Sequence, residues 1–214
     1  MAEDNKISGR SPIIYFMQAI LIFYAISSLI FGAFITFFEL IIILCLIEVP
    51  FIAENYLMIS IPFNLKSAIA IFLTFHILGN IEHWYYIYYP YFDKIAHFIA
   101  GLILAMIIFV ALIVINYYKK RKWNNCVIAI LIIILSIPFA IIWEIGEISI
   151  DVGFVKEMRY SNGFDDNALD IFFDLCGAIL MAMYAFIFLS NNNINNIYIR
   201  VIKGELRRFS AHPK

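Results

Sequence analysis

The sequence has little charge and few cysteines. Charged residues make up 14% of the 214-residue chain and hydrophobic residues 64%, whereas a soluble domain has about 25% charged and about 45–50% apolar residues. Because a water-soluble fold cannot bury that share of apolar side chains, the composition predicts an integral membrane protein. The scattered cysteines, Cys45, Cys126 and Cys176, predict neither a disulfide framework nor a cysteine metal site. A net charge of −1 indicates no nucleic-acid partner.

Long apolar runs divide the chain into six predicted transmembrane helices. Since about 20 apolar residues cross the hydrocarbon, the run from Ile13 to Ala53 is long enough for two spans, with a turn at Gly32. The first run has no signal-peptide cleavage site, so we interpret it as a span. The result is an all-α, polytopic transmembrane bundle in one domain over residues 1–190, with a basic tail over residues 191–214. The spans are predicted at about residues 13–30, 33–53, 66–88, 92–118, 124–148 and 167–190.

Basic residues predict the orientation of the bundle. With six spans, 12 of the 15 Lys and Arg residues fall on one side of the membrane, and that excess is typical of the cytoplasmic side. We therefore expect a multi-pass protein of the cell membrane with both termini in the cytoplasm. The tail either lies on an anionic membrane surface or is solvated.

Polar residues gather near the predicted outer ends of four spans. Because consecutive spans alternate in direction, these ends share the outer half of the bilayer, and spacings of three or four residues keep each set on one helix face. The residues are His76, Asn80 and His83 on the third span, Asp93 and His97 on the fourth, Glu144 and Glu147 on the fifth, and Asp166, Asp170 and Asp174 on the sixth.

This polar set predicts a metal site. Carboxylates inside a membrane are costly, and five or six of them outnumber the nearby fixed cations, which are Lys94 and, if charged, the histidines. Lys94 itself is either such a counter-charge or an interfacial anchor. A divalent ion would offset the excess negative charge. Histidine with carboxylates suits Zn, Mn or Fe, and a carboxylate-rich site also suits Mg. Glu144 and Glu147 are the candidate catalytic residues, as general bases. The candidate metal ligands are His76, His83, Asp93, His97, Asp166, Asp170 and Asp174.

Three segments resemble the signatures of the YjdF-type family of small prokaryotic membrane proteins. They are FDKIAHFIAG (Phe92–Gly101), WEIGE (Trp143–Glu147) and DNALDIFFDLCGA (Asp166–Ala178). HILG (His76–Gly79) is similar to the preceding motif of that family, and VanZ-like proteins are more distantly similar. One departure is SNGFDDN, where family members often carry Gln-Gly-Asp, and His83 matches no family position. The resemblance implies an architecture and a set of matching polar positions more than an activity. Those positions are Asp93, His97, Glu144, Glu147, Asp166, Asp170 and Asp174.

The residues leave three functions open. The favoured hypothesis is a membrane-embedded, metal-dependent hydrolase that acts on a lipid or a lipid-linked substrate, in which the metal activates water. The chain contains no HExxH or HxxxH motif, so no known metalloprotease signature supports this hypothesis. The alternatives are a carrier or channel for a cation, protons or a small solute, and a structural polar core without a ligand. The oligomeric state is left open by the sequence.

Overall fold

The structure, a computed structural model, describes residues 10–57, 59–121, 123–153 and 164–192. These residues form helices and no strand, and all helices except the short α4 are long and apolar enough to cross a membrane. The prediction of an all-α polytopic bundle with six spans is therefore confirmed. The helices are α1 (Pro12–Ile30), α2 (Phe34–Leu57), α3 (Phe63–Ile81), α4 (Trp84–Ile87), α5 (Tyr91–Tyr118), α6 (Asn125–Gly153) and α7 (Phe164–Asn191).

Two turns account for the helix boundaries in the first half of the chain. Gly32, between α1 and α2, has a φ of 74°, a left-handed conformation that glycine adopts without steric cost. The third span ends at Ile81, well before the predicted residue 88, because the chain turns at His83, with a φ of 58°, and then forms α4. The basic tail predicted from residue 191 lies outside the described residues beyond Asn192.

The chain forms two compact units, which we call unit 1 (up to Trp84) and unit 2 (from Tyr85). Unit 1 contains α1, α2 and α3, and its apolar core draws on all three helices. Unit 2 contains α5, α6 and α7. The single membrane domain over residues 1–190 stays a prediction. The core residues of unit 1 are Ile14, Leu21, Ala25, Leu40, Ile47, Ala70 and Ile77.

In unit 2, α7 packs against both α5 and α6. Two glycines set the distance between α5 and α7. A Cβ atom on Gly101 would overlap the backbone of Asp174, and one on Gly177 would overlap the backbone at Phe98 and Leu102. Small residues allow membrane helices to approach this closely. The glycine pair therefore brings the polar faces of α5 and α7 together.

Candidate metal centre

Seven polar side chains of α5, α6 and α7 are buried together in unit 2. Their helical spacings place each set on one face, so three aspartates of α7 face the first turns of α5. The sequence predicted a polar cluster shared by four spans, and α5, α6 and α7 contribute the part of it that lies in unit 2. The buried residues are Asp93, Lys94, His97, Glu144, Asp166, Asp170 and Asp174.

Lys94 joins three of the aspartates. Its Nζ atom donates hydrogen bonds to Asp93 Oδ2 at 2.9 Å, Asp166 Oδ1 at 2.5 Å and Asp170 Oδ1 at 2.6 Å. An ammonium group has three donors, so every donor of Lys94 has a carboxylate partner. Of the two interpretations of Lys94, the structure supports the counter-charge over the interfacial anchor, because the side chain is buried in an ion-pair cluster and is only 7% exposed.

The imidazole of His97 lies between two pairs of carboxylates. Its Nε2 atom is 3.7 Å from Asp93 Oδ1 and 3.6 Å from Asp170 Oδ1. On the other side of the ring, Nδ1 is 3.3 Å from Asp174 Oδ2 and 3.7 Å from Glu144 Oε1. His97 is therefore the side chain that brings acids of all three helices into one cluster.

Glu144 has no hydrogen bond within the part of the chain that the structure describes. Its side chain is buried, with the residue 3% exposed, and both carboxylate oxygens lack a hydrogen-bond partner. A buried polar group without a partner is costly, and a buried charge more so. Such a group in a native protein calls for an explanation, and a catalytic role or a bound ion or water supplies one.

Two groups of three side chains in unit 2 have the geometry to hold a metal ion. They are Asp93, His97 and Asp170, and His97, Glu144 and Asp174, and in each group one ligand atom per residue lies within 4.8 Å of the others. The first group shares Asp93 and Asp170 with the ammonium of Lys94. The second group contains the carboxylate without a hydrogen bond, and Lys94 forms no ion pair with it among the described residues.

The cluster carries more acids than cations. The cluster contains five buried carboxyl groups but only two basic side chains among the described residues, the ammonium of Lys94 and the imidazole of His97. In a medium of low dielectric constant, several ionised carboxylates cannot share a site without protons or bound cations. The carboxyl groups belong to Asp93, Glu144, Asp166, Asp170 and Asp174.

Two further side chains lie at the edge of this cluster. Glu147 is half-buried, and its Oε1 atom accepts a hydrogen bond of 2.8 Å from the indole of Trp143. The hydroxyl of Tyr89 donates to Asp166 Oδ1 at 3.3 Å. Desolvation, with the negative charge of Asp166, raises the pKa of Tyr89 above its ordinary value of 10.0, so the phenol keeps its proton at neutral pH.

The predicted ligands His76 and His83 belong to unit 1. His76 lies on α3 with its ring 5.9 Å from that of Phe72, and His83 follows that helix. Neither residue is a member of the two metal-capable groups, so their roles stay predictions. Sequence reasoning missed Tyr89, which the aromatic run around it indicates only as an interfacial belt.

Comparison with known proteins identifies the family. An uncharacterised protein of Thermotoga maritima is 27% identical over 135 residues, which cover 62% of this chain and 67% of that protein. No solved structure matches the chain. A family model described as "Predicted membrane protein (DUF2238)" matches residues 12–191, the range that contains all six apolar helices. The chain is therefore a multi-pass membrane protein that belongs to the DUF2238 family.

Proposed function

We propose that unit 2 is a membrane-embedded, metal-dependent hydrolase in which His97, Glu144 and Asp174 hold one divalent cation. The observation that carries the proposal is Glu144, a buried carboxylate whose two oxygens have no hydrogen-bond partner. Its position 3.7 Å from His97 Nδ1 places it in a group that is able to hold a cation. A cation at this position would neutralise the carboxylate of Glu144 and part of the excess negative charge of the cluster.

The distances suit a small ion. Two ligands of a tetrahedral zinc ion, each about 2.0–2.1 Å from it, lie roughly 3.4 Å apart. His97 Nδ1 is 3.3 Å from Asp174 Oδ2 and 3.7 Å from Glu144 Oε1. One histidine and two carboxylates suit Zn, Mn or Fe, and Mg is the alternative.

The opposite side of the imidazole supports the same assignment. Metal-binding histidines generally donate their second ring N–H to a carboxylate or carbonyl group, which orients the ring. In unit 2, Nε2 of His97 faces Asp93 and Asp170 at 3.7 and 3.6 Å. Those two residues, predicted as ligands, therefore orient His97 in this proposal, and Nδ1 is the ligand atom.

Three protein ligands leave coordination positions for water and substrate, which distinguishes a catalytic from a structural site. A divalent ion in such a site activates water at neutral pH. Glu147 is our candidate for the general base. It lies about one helical turn beyond Glu144 on α6, it is half-buried, and Trp143 holds one of its oxygens. Glu144, the other candidate base, becomes a ligand.

The depth of the cluster favours a lipid or lipid-linked substrate. His97 lies between one and two turns from the start of α5 at Tyr91, or roughly 9 Å along the helix axis. Glu144 is at a similar distance from Ser149, where the apolar part of α6 ends. With 28 residues, α5 is about 42 Å long and exceeds the hydrocarbon core of about 30 Å. This level therefore lies near the boundary between the core and the head groups, close to the ester bonds of lipids. We also propose that both termini lie in the cytoplasm, and that the chain is similar to the YjdF-type proteins and more distantly to the VanZ-like proteins.

Elemental analysis of the purified protein tests the metal. We expect about one equivalent of Zn, Mn, Fe or Mg per chain, with a loss of most of it in Glu144→Gln. Glu39→Gln, a half-buried glutamate in α2 of unit 1, is the matched control and should keep the metal. A wild-type content below about half an equivalent would contradict the site.

Hydrolysis is tested on extracted membrane lipids with mass spectrometry of the products. We expect activity that chelation abolishes and added metal restores, and a lower kcat without loss of metal in Glu147→Gln.

A cation carrier is the second candidate, because ion pairs and hydrogen bonds run from Tyr89 through Asp166 and Lys94 to Asp170. Metal uptake into proteoliposomes that Asp170→Asn abolishes, without any hydrolysis, would favour the carrier.

A further inference from the structure

We propose that Lys94 is a built-in cation that fills a second metal position in unit 2 and limits the site to one divalent ion. This inference rests on the proposed metal site of His97, Glu144 and Asp174. According to this inference, a single lysine determines how many metal ions the protein binds.

The surroundings of the ammonium are those of a hard metal ion. Three carboxylate oxygens, from Asp93, Asp166 and Asp170, surround Nζ at 2.9, 2.5 and 2.6 Å. Mg²⁺, Mn²⁺ and Ca²⁺ prefer oxygen ligands, and Ca²⁺ binds them at about 2.3–2.6 Å. The oxygens therefore already converge on one point at distances close to those of a metal site.

Asp170 links Lys94 to His97. Its Oδ1 atom is 2.6 Å from Lys94 Nζ and 3.6 Å from His97 Nε2, the ring nitrogen opposite the proposed ligand atom Nδ1. The ammonium and the proposed metal ion therefore lie on opposite sides of the imidazole and share no carboxylate ligand. In unit 2 the side chain of Lys94 takes a cation position of its own, so the charge of a second ion is supplied by the chain itself.

Lys94 is not available to the substrate. All three of its donors are used by carboxylates, so no N–H remains to bind an oxyanion. Its role is therefore to compensate charge. Lys66 of unit 1 is also buried, but among the described residues it forms an ion pair with one carboxylate, that of Glu54, and one carboxylate does not make a metal site.

Metal stoichiometry of Lys94→Met tests the inference. The full-length protein is stripped with a chelator, dialysed against Mn²⁺, and measured by elemental analysis as a folded, monodisperse preparation. We expect the manganese content to double, from about one equivalent in the wild type to about two in the variant. Lys66→Met/Glu54→Gln, which removes a buried ammonium and its partner outside the cluster, should keep the wild-type content. Lys94→Met/Asp166→Asn should lose the second equivalent.

The outcomes separate this inference from the proposed function. An unchanged content in Lys94→Met, with metal in the wild type, would overturn the inference alone. A wild type without metal would overturn the metal site, while a gain of metal in Lys94→Met would still support a cation position at Lys94. Lys94→Gln is the second variant if Lys94→Met does not fold. Failure of both to fold even in excess Mn²⁺ would contradict the inference, since the ion should replace the ammonium.

Discussion

The two units treat charge within the membrane in opposite ways. In the described part of unit 1, two glutamates each have a basic partner. Glu48 accepts hydrogen bonds from Arg10 at 2.5 Å and Gln18 at 2.6 Å, and Glu54 accepts two from Lys66 at 2.9 and 2.8 Å. In unit 2, five buried carboxyl groups face one lysine and one histidine, and Glu144 has no hydrogen bond in the described chain.

This difference distinguishes polar side chains that stabilise helix packing from polar side chains that bind a ligand. A balanced pair between helices fixes their packing and needs nothing from outside. An unbalanced cluster lowers stability unless a ligand completes it, and residues that hold a ligand are commonly kept at the expense of stability. We therefore expect the neutralisation of a buried or half-buried glutamate to have opposite effects on stability in the two units.

The largest effect is expected from Lys66→Met in unit 1. Without the ammonium, the carboxylate of Glu54, whose side chain is 12% exposed, has no counterion, and breaking a buried pair costs about 3–5 kcal/mol. Unfolding in detergent measures the loss. The double variant Lys66→Met/Glu54→Gln removes both charges and should recover most of the stability. An equal loss of stability in the single and double variants would show that Lys66 stabilises the protein by something other than its ion pair with Glu54.

A smaller loss is expected from Gly177→Val in unit 2. The added side chain would overlap the backbone of α5 at Phe98 and Leu102, and overpacking of this kind costs about 1–3 kcal/mol or more. The separation of α5 from α7 should also abolish metal binding. Gly146→Ala on α6 is the control, because nothing lies within 4 Å of the added Cβ atom. A Gly177→Val protein that keeps its metal would show that close helix contact does not position the ligands.

The sequence predicts the helices better than their contacts. Apolar runs of about 20 residues locate the six spans, and the i,i+4 steps of Asp166, Asp170 and Asp174 place these residues on one face of α7. The partners of Lys94 lie 72 and 76 positions away on α7. No local pattern encodes that distance, because it depends on how closely α5 and α7 approach at the glycines.

The sequence also does not distinguish which of Glu144 and Glu147 is buried in the cluster. Both fit the same spacing on α6, but the rotation of that helix against α7 buries Glu144 and leaves Glu147 half-buried. Rotation depends on packing against neighbouring helices, which composition does not report. The sequence therefore predicts that α6 contributes an acid to the cluster, but not which one.

In contrast to Lys66→Met and Gly177→Val, Glu144→Gln should stabilise the metal-free protein. The carboxylate has no hydrogen bond to lose, and its removal reduces repulsion from the neighbouring aspartates. We expect a gain of about 1 kcal/mol, or a few degrees in Tm. Glu48→Gln in unit 1, which breaks the pair with Arg10, should lower Tm. A lower Tm for metal-free Glu144→Gln would contradict the charge imbalance in unit 2.

The smallest effect is expected from Tyr89→Phe, at the outer edge of the unit 2 cluster. Tyr89 is 48% exposed, so loss of its hydrogen bond to Asp166 should cost less than about 1 kcal/mol. Because its pKa is raised above 10.0, the protonated phenol is favoured in the folded state. Its contribution to stability is complete below pH 10 and disappears as the pH rises through the shifted pKa.

Unfolding of the wild type and Tyr89→Phe from pH 7 to pH 11 measures this contribution. The stability difference should be constant up to about pH 9 and shrink above pH 10, while the metal content at pH 7 stays equal in the two proteins. Tyr86→Phe, an exposed tyrosine of the same aromatic run, is the matched control. If Tyr89→Phe instead lost its metal, the cluster would depend on its outermost hydrogen bond, and the cation site would extend from His97 to Asp166.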